Sequence, residues 1–472
     1  MIDSKPNQDL LIPSIPDHIF REYDIRGIYE QDLSHSTACI IGKALAVYLK
    51  NKINKPQIKL TVGSDIRLSS PILKEGVIKG LLESGMDIIE IGVCPTPLQY
   101  YSLYSLEADG GVMVTGSHNP PEFNGFKLSV GKQTIFGEEI QEIRRIIRKG
   151  DYISTHQTGN LSSHDILKEY TNYLIPKFKS FAGLKVVVDS GNGTAGLIAP
   201  KIMKALGAEV IELFSEPDGR FPNHHPDPVV LENLQYLRNT VLESKANAGI
   251  GFDGDADRIG VIDEEGEPIW GDILMIAFAR DLLKDYPKAS IIGEVKCSQL
   301  LYDEINRLGG RALMWKTGHS LIKKKMKEEG ALLAGEMSGH LFFADRYFGY
   351  DDAIYTALRL MEIMKKSGPP FGVRNLLKGI PKVYNSPEIR VDCPDTIKFK
   401  IVDDMKREFA NYPANTIDGI RINFPQGWAL IRASNTQPVL VLRFEADSTE
   451  ELKIIGDQVR EKLTKIMNKY ET

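Results

Sequence analysis

The sequence predicts an α/β protein in which three similar α/β domains precede a C-terminal α+β domain. Three observations predict this fold class. A strand–helix–strand unit recurs three times, a polar loop follows each unit, and the C-terminal part changes to strands joined by turns. Strand–helix–strand units in series imply parallel strands with right-handed crossovers.

The three units share one pattern of strand, helix and strand. The first runs from "IKLTVGSD" at 58–65 through a helical stretch ending at Gly85. The second runs from "LKVVVDSGNG" at 184–193 through a helix ending at Gly207, and the third begins with "ASIIGEVKCS" at 289–298. Each helical stretch has apolar residues at a period near 3.6 and stops at glycine, which favours a helix C-terminus.

A further strand then leads into a polar loop in each unit. The three stretches are "DGGVMVTGSHN" at 109–119, "ANAGIGFDGDADR" at 246–258 and "ALLAGEMSGH" at 331–340. In parallel α/β sheets, ligands bind where strands deliver such loops at their carboxyl ends. We therefore expect the three loops to converge on one cleft.

The C-terminal domain is predicted from residues 417–447, which give two or three strands joined by turns at "PQG" and "SNTQP". An amphipathic helix follows, with Ser448 and Glu451 as a capping box at its start. The predicted domains are 1–162, 163–266, 267–379 and 380–472; each of the first three carries one of the polar loops, and the fourth carries the turn at "SNTQP".

Composition excludes several classes of protein. The chain has 472 residues, 42% hydrophobic and 26% charged, which is an ordinary balance for a soluble globular protein. Its net charge of −5 argues against general binding to nucleic acid or to anionic membranes. No apolar run reaches the ~18 residues that span a bilayer, and no secretory signal is visible. The four cysteines lack CxxC spacing, so we expect a protein of the reduced cytoplasm.

The string "DGDADR" at 253–258 indicates a metal site. Asp253, Asp255 and Asp257 alternate within five residues, and oxygen ligands at this density suit a hard cation, above all Mg²⁺. The alternatives are a solvated acidic turn and an EF-hand loop, whose twelfth position Glu264 would fill. The EF-hand is rejected because Arg258 stands at the sixth position, which requires glycine, and because both flanks resemble strands.

Three further loops carry polar groups that have two interpretations each. Ser117 in "VTGSHNP" alone is typical of a turn, yet it can also offer its hydroxyl for chemistry. Glu336 and Ser338 in "GEMSGH" suit paired sugar hydroxyls or a polar turn. Arg432 and residues 434–436 in "RASNTQP" form either a nest for a phosphate dianion or a polar hairpin.

Long strings around these loops resemble the α-D-phosphohexomutase family, specifically its bacterial phosphomannomutase/phosphoglucomutase branch. They are "TGSHNPPEFNGFK", "FPNHHPDP", "KTGHSLIKKKMKEEGALLAGEMSGH" and "RASNTQPVLVLRFEAD", and the resemblance extends from "FREYDIRG" to the C-terminal helix. It implies four domains around a central cleft, the first three sharing a topology with mixed sheets. Ala256 departs from the family pattern, since much of the family has glycine there.

The resemblance also implies residue roles. Ser117 would be the phosphoserine, and it would hold Mg²⁺ together with Asp253, Asp255 and Asp257. Arg26, His118, Lys127 and Arg258 would complete the catalytic site, with the base being either Lys127 or His118. The substrate-binding residues would be Tyr23, Lys296, His319, Glu336, Ser338, His340, Arg432, Ser434, Asn435 and Thr436.

The implied activity is reversible phosphoryl transfer between the 1- and 6-positions of mannose or glucose phosphates. It would use phosphoserine and a hexose 1,6-bisphosphate intermediate, with glucose 1,6-bisphosphate as activator, and the enzyme would be a monomer whose partners are hexose phosphates alone. Three alternatives stay open: a phosphoglucosamine mutase, a non-catalytic sugar-phosphate-binding relative, and a Mg²⁺-dependent phosphatase in which Ser117 is only a turn residue.

Overall fold

The computed structural model describes residues 15–153, 155, 157–435 and 437–470. These residues form four β-sheets in chain order, each packed against helices. The first three sheets combine parallel and antiparallel pairs, whereas the strands of the fourth sheet pair antiparallel throughout the described residues. The predicted fold class, three mixed α/β domains and a C-terminal α+β domain, is confirmed.

The first sheet supports the loop that carries Ser117. Its strands are β1 (Ile25–Ile28), β2 (Lys59–Ser64), β3 (Asp87–Val93), β4 (Gly110–Val114), β5 (Phe123–Val130), β6 (Gln133–Thr134) and β7 (Leu161–Ser163). Its helices are α1 (His35–Lys52), α2 (Ser70–Glu83), α3 (Thr96–Ser105) and α4 (Glu138–Lys149). The strand order is β1-β5-β4-β2-β3-β7, and β6 pairs with β5. β4 is parallel to β2 and antiparallel to β5, so the loop between β4 and β5 lies at the carboxyl end of the parallel strands.

The second sheet supports the three aspartates. Its elements are α5 (Ile166–Leu174), β8 (Lys185–Asp189), α6 (Ala199–Ala205), β9 (Glu209–Leu213), α7 (Gln235–Ser244), β10 (Ala248–Phe252), β11 (Ile259–Ile262) and β12 (Pro268–Ile269). The strand order is β12-β11-β10-β8-β9. β10 is parallel to β8 and antiparallel to β11, which repeats the arrangement of β4, β2 and β5. The loop at 253–258, called the metal loop below, joins β10 to β11.

The third sheet repeats the arrangement once more. Its elements are α8 (Gly271–Asp285), β13 (Ser290–Glu294), α9 (Gln299–Arg307), β14 (Arg311–Trp315), α10 (His319–Glu329), β15 (Leu333–Gly335), β16 (Leu341–Phe343), α11 (Ala353–Ser367) and α12 (Val373–Leu376). β15 is parallel to β13 and antiparallel to β16. The loop at 336–340, called the sugar loop below, joins β15 to β16.

The fourth sheet is a layer of antiparallel strands covered by two helices. Its elements are β17 (Tyr384–Asn385), β18 (Ile389–Asp392), α13 (Lys398–Glu408), β19 (Ala414–Asn415), β20 (Ile420–Phe424), β21 (Gly427–Ala433), β22 (Val439–Ala446) and α14 (Thr449–Met467). The turn between β21 and β22, residues 434–438, follows Arg432 and is called the distal turn. Ser448 caps α14 by accepting from the backbone N–H of Glu451, one half of the predicted capping box.

Hydrophobic packing joins the first three domains more tightly than the fourth. One cluster of buried side chains runs from α3 through β10 to α8 and α11, whereas β20–β22, α13 and α14 enclose a core of their own.

The sheets cover residues 25–163, 185–269, 290–343 and 384–446. The predicted domain boundaries fall near the ends of these spans and remain predictions. None of the helices that the structure describes is long and apolar enough to cross a membrane.

Candidate active site

Ser117 lies in the loop that follows β4, with its hydroxyl directed at another domain. Its backbone φ of +49° is a left-handed conformation that is uncommon for a residue with a side chain. The buried hydroxyl donates to Asp253 Oδ2 at 3.0 Å and lies 3.1 Å from Nδ1 of His118. Gly254 permits this approach, because a Cβ there would lie 2.5 Å from the Ser117 carbonyl oxygen. An ordinary surface turn would instead leave the hydroxyl in solvent.

Arg67 supports this loop from behind, and sequence analysis missed it. Its fully buried guanidinium ion-pairs with Asp65, and its two terminal nitrogens donate to backbone carbonyl oxygens. The acceptors are the carbonyls of Ser117 at 2.8 Å, Asn119 at 2.6 Å, Pro120 at 2.5 Å and Phe123 at 2.9 Å. The available signal was an arginine placed directly after a predicted buried strand, where a solvated charge is not expected.

The three aspartates of the metal loop face the Ser117 loop in a buried cluster. Asp253, Asp255 and Asp257 are at most 1% exposed, and one oxygen of each lies within 4.8 Å of the others. Lys127 on β5 donates to Asp255 at 2.8 Å and to Asp257 at 2.5 Å. Asp253 therefore contacts the serine, and the ammonium group of Lys127 is the cation that directly pairs with the other two carboxylates.

Arg258 connects the metal loop to the sugar loop. Its Nε donates to Nε2 of His340 at 2.9 Å. The His340 ring stacks on the ring of His319, with centroids 5.3 Å apart and planes inclined by 13°. Both histidines are buried, so the predicted histidine pair is a packed element of the third domain.

The sugar loop holds two predicted side chains in contact with each other. Glu336 accepts from the backbone N–H of Gly318 at 2.5 Å, and Ser338 lies 3.4 Å from the second oxygen of the same carboxylate. Lys296, in the loop after β13, pairs with Glu388 of the fourth domain at 3.1 Å. The loop after β13 thus carries an ammonium group, and the sugar loop carries a carboxylate and a hydroxyl.

The fourth domain contacts the third domain near Arg432 through Asp418, and it contacts the first domain through Asn435 of the distal turn. Arg432 donates to Asp418 at 3.0 Å, and the same Asp418 oxygen accepts from the backbone N–H of Thr317 at 3.0 Å. The amide of Asn435 donates to the Tyr23 hydroxyl at 2.8 Å, and that hydroxyl donates to the Thr317 carbonyl at 2.8 Å. Tyr23 therefore bridges the first, third and fourth domains.

Comparison with protein families matches all four domains separately. The models named "Phosphoglucomutase/phosphomannomutase, alpha/beta/alpha domain" I, II and III match residues 17–154, 168–266 and 270–384, and the C-terminal domain model matches residues 388–462. The chain belongs to the phosphoglucomutase/phosphomannomutase family. The expected family and its enzyme class, an isomerase of the phosphohexomutase type, are confirmed.

Curated relatives and solved structures agree with this family membership. A phosphomannomutase/phosphoglucomutase of Pseudomonas putida is 47% identical over 459 residues, covering 97% of this chain and 98% of its own. A phosphoglucomutase of Neisseria meningitidis is 42% identical, covering 94% and 96%. A crystal structure of a phosphoglucomutase/phosphomannomutase family protein from Burkholderia thailandensis has a TM-score of 0.89 at 39% identity, covering 96% and 98%.

The acidic cluster of this phosphohexomutase fits a divalent metal ion. Among the described residues, Asp255 Oδ1 and Asp257 Oδ1 are buried without a hydrogen-bond partner. Burial, followed by repulsion from Asp257 and Asp255, raises the pKa of Asp253 well above its usual value. Two unpartnered oxygens and excess negative charge are what a hard cation with oxygen ligands would satisfy. Ala256 has a left-handed backbone φ of +59°. Glycine, which much of the family has at this position, adopts that conformation more easily.

The remaining predicted residues of the phosphohexomutase lie on the first domain beside Ser117. Arg26 on β1 pairs with Asp24, and its guanidinium lies 2.6 Å from the side-chain amide of Asn119. Burial lowers the pKa of His118 well below its usual value, and Arg258 and Arg26 lower it further. His118 is therefore neutral, whereas Arg26 carries positive charge to the same loop.

The loops that sequence analysis selected thus form a continuous series of contacts. Ser117 contacts the metal loop, Arg258 of the metal loop contacts the sugar loop, and Asn435 of the distal turn contacts Tyr23 of the first domain. Ser117 and Arg432 share no hydrogen bond among the described residues. Ser434 is buried and accepts from the backbone N–H of Gln437 at 3.1 Å, and Thr436 lies outside the described residues.

Proposed function

We propose that this enzyme interconverts the 1-phosphates and 6-phosphates of mannose and glucose, through a phosphoserine at residue 117 and a hexose 1,6-bisphosphate. The observation that carries the proposal is the buried hydrogen bond from the Ser117 hydroxyl to Asp253 of the metal loop. It aims a nucleophilic oxygen at a cation-binding cluster of another domain. Such a cluster can neutralise the charge of a transferring phosphoryl group.

In the first half of the reaction, the phosphoryl group moves from Ser117 to the free hydroxyl of the sugar phosphate. The bond between phosphorus and the serine oxygen breaks, and a bond between phosphorus and the sugar oxygen forms. The sugar hydroxyl loses its proton, and the serine oxygen gains one. The bisphosphate then turns end for end and returns its other phosphoryl group to Ser117 by the reverse steps.

Mg²⁺ is the cation we assign to Asp253, Asp255 and Asp257, with an oxygen at Ser117 as further ligand. When bound, it would supply positive charge beside the transferring group. Lys127 supplies fixed positive charge there: burial opposes its ionisation, but Asp255 and Asp257 outweigh burial and raise its pKa well above its usual value. Glucose 1,6-bisphosphate would act as activator by phosphorylating Ser117.

Between the two candidate bases, Lys127 and His118, we propose that His118 acts on the serine oxygen. Its Nδ1 is 3.1 Å from Ser117 Oγ, whereas Lys127 is paired with two carboxylates. A neutral imidazole at this distance can hold or return the proton of the serine hydroxyl. Arg26 and Arg258 would then stabilise phosphoryl oxygens by charge.

The substrate is proposed to lie between Ser117 and the distal turn. Arg432, Ser434 and Asn435 would bind the phosphate that is not being transferred, and Thr436 is predicted to join them. Glu336 and Ser338 would bind sugar hydroxyls. The residues proposed to line the remaining surface are Tyr23, Lys296, His319 and His340. We further propose that the enzyme is a cytoplasmic monomer that acts on free hexose phosphates. Sedimentation at several protein concentrations tests its oligomeric state.

A coupled assay tests the proposal with glucose 1-phosphate, mannose 1-phosphate and glucosamine 1-phosphate, Mg²⁺ and trace glucose 1,6-bisphosphate. We expect 6-phosphates of glucose and mannose as products, and a loss of at least ~10³-fold in kcat for Ser117→Ala. The matched control is Ser84→Ala, because among the described residues that buried hydroxyl donates to the Gly80 carbonyl of α2 and has no further hydrogen-bond partner. Mass spectrometry should find a phosphoryl group at Ser117 in the active enzyme.

Each alternative predicts a different result in this assay. Release of inorganic phosphate without 6-phosphate would indicate the phosphatase. Binding of sugar phosphate without any product would indicate the non-catalytic relative. A preference for glucosamine 1-phosphate would indicate the phosphoglucosamine mutase. Full activity of Ser117→Ala would refute the phosphoserine mechanism.

A further inference from the structure

Asp351, two residues before the helix α11, contacts two histidines with one oxygen. Its Oδ2 lies 3.1 Å from Nδ1 of His319 and 3.1 Å from Nδ1 of His340. Its other oxygen, Oδ1, accepts from Lys323 at 3.1 Å. The carboxylate is fully buried, and apart from these ion-pair contacts Oδ2 and both Nδ1 atoms have no hydrogen-bond partner among the described residues.

Arg258 determines which nitrogen of His340 carries the proton. A guanidinium can only donate hydrogen bonds, so Nε2 of His340, which faces Arg258 Nε at 2.9 Å, must accept and carries no proton. The proton of the ring is therefore on Nδ1. This nitrogen faces Asp351 Oδ2, with Asp257 Oδ1 farther away at 3.7 Å.

His319 has the same arrangement toward Asp351. Burial lowers the pKa of His319, so its ring is neutral with one proton. Burial alone would raise the pKa of Asp351, but Lys323 and His319 hold it well below its usual value, so the carboxylate is ionised. An ionised carboxylate accepts but cannot donate, which places the proton of His319 on Nδ1.

We propose that Asp351 is a positioning residue that holds His319 and His340 in the Nδ1–H tautomer. The two stacked rings then present an unprotonated Nε2 on the side away from Asp351, where the His340 nitrogen meets Arg258 of the metal loop. Because Arg258 already uses the lone pair of His340 Nε2, the nitrogen to which a sugar hydroxyl that must lose its proton can donate is Nε2 of His319. The catalytic consequence rests on the proposed mutase function, whereas the tautomer does not.

The same atoms have a spacing that could hold a metal ion, since Asp257, His340 and Asp351 each offer a ligand atom within 4.8 Å of the others. The hydrogen bond from Arg258 argues against that use, because it leaves the proton on Nδ1 of His340 and no lone pair for a metal. Lys323 also places a cation beside Asp351. The cluster therefore serves as a carboxylate, Asp351, that orients two histidines, and not as a metal site.

Asp351→Asn tests the proposal because the amide cannot satisfy both of its neighbours. If the amide oxygen faces the histidines, the amide NH₂ faces the Lys323 ammonium group. If the NH₂ faces the histidines, it meets two N–H groups, and a ring must move its proton to Nε2. Repulsion from Lys323 favours the second orientation, so we expect the variant to change the tautomer of at least one ring.

The readout is long-range ¹H–¹⁵N NMR of histidine-labelled enzyme, with His319→Gln and His340→Gln used for assignment. We expect protonated Nδ1 and unprotonated Nε2 in both rings of the wild type, and a shift toward Nε2–H in Asp351→Asn. With glucose 1-phosphate as substrate, kcat should fall by about 10- to 100-fold while KM changes less than about 3-fold, as when a carboxylate that orients histidine is removed.

Asp352→Asn is the matched control, because Asp352 is the adjacent buried carboxylate but accepts from the hydroxyls of Tyr170 and Tyr347. Its kcat should stay within about 2-fold of the wild type, and both histidine tautomers should be unchanged. An equal loss of kcat in Asp351→Asn and Asp352→Asn, or unchanged histidine tautomers in Asp351→Asn, would overturn the proposal. If Asp351→Asn does not fold, Nε2–H in both rings of the wild type still overturns it. An inactive wild type with the expected tautomers would instead contradict the mutase function.

Discussion

The two ends of the proposed substrate site are built differently. At the reacting end, formed by Ser117 and the metal loop, the loops of two sheets meet in direct hydrogen bonds between fully buried groups. At the distal end, formed by Arg432 and the distal turn, the hydrogen bond from Asn435 to Tyr23 is the one that joins the fourth domain to the first among the described residues. Both ends lie between domains, but the reacting end is a buried cluster of charged groups, whereas the distal end meets the first domain in a neutral hydrogen bond.

This difference matches what each end must do in the proposed reaction. The reacting end performs the same bond exchange twice, and fixed charges reduce the reorganisation needed at each transfer. The distal end must bind a phosphate from either end of the sugar and release the intermediate so that it can turn. A few separate hydrogen bonds can be broken and remade at lower cost than a buried charge cluster. Substitutions should therefore affect kcat at the reacting end and KM at the distal end.

The largest effect is expected from Asp255→Asn at the reacting end. It removes one negative charge from the three-carboxylate cluster and leaves Lys127 with one ionised partner less. We expect kcat to fall by at least ~10³-fold, because charge stabilisation of a transferring phosphoryl group is lost. Calorimetry should show weaker binding of Mg²⁺ to the variant.

The control for this prediction is Asp263→Asn, a buried aspartate of the same domain that accepts from backbone N–H groups of a turn after β11. Its binding of Mg²⁺ and its kcat should resemble the wild type. Wild-type affinity for Mg²⁺ in Asp255→Asn, together with more than a tenth of the activity, would contradict the assignment of the metal loop.

A smaller effect is expected from Arg67→Lys, behind the reacting end. Lysine cannot reproduce the planar set of donors that serves four carbonyl oxygens around Ser117. Unsatisfied carbonyls should lower the free energy of unfolding by about 3 kcal/mol and reduce kcat, because Ser117 loses its support. Denaturant unfolding and steady-state kinetics measure both.

Arg220→Lys is the control for Arg67→Lys. Arg220 is exposed and, among the described residues, pairs only with the nearby, partly buried Asp218, so its replacement should leave the free energy of unfolding close to that of the wild type. If Arg67→Lys is as stable and as active as the wild type, then the loop holds its left-handed serine without help from the guanidinium.

Sequence reasoning could predict the reacting end because its chemistry is compact in the chain. Three aspartates within five residues, directly after a short predicted strand, predict a charge cluster that needs a cation. The repeated strand–helix–strand pattern likewise predicted three related sheets. The three predicted helices end at Glu83, Ala205 and Arg307, each two residues before its glycine. Those glycines, Gly85, Gly207 and Gly309, all have positive φ.

The missed features depend on contacts between residues that are distant in sequence. Arg67 supports a loop that lies 50 residues further along the chain, and Asp351 contacts two histidines on different elements. The local signal for Arg67 was only its position after a buried strand, and Asp351 belongs to no local pattern that distinguishes it from a surface charge. The family resemblance supplied the role of Tyr23, but its bridge to Asn435 spans 412 residues and required the fold.

The smallest effect is expected from Tyr23→Phe at the distal end. The variant loses the hydroxyl that accepts from Asn435 and donates to the Thr317 carbonyl, while the ring that packs against Gly318 and His319 remains. Two neutral hydrogen bonds of about 1 kcal/mol each are partly replaced by water, so KM should rise by about 2- to 10-fold. kcat should change little, because no charged group at the reacting end is altered.

Tyr29→Phe, in the same domain, separates this effect from a general loss of a tyrosine hydroxyl. The Tyr29 hydroxyl has no hydrogen bond to the rest of the described chain, so its removal should leave KM and kcat unchanged. A 100-fold loss of kcat in Tyr23→Phe at constant KM would assign Tyr23 to the chemistry instead of to the distal contact. The two ends would then be coupled through this residue, and kcat and KM could no longer be attributed to separate ends.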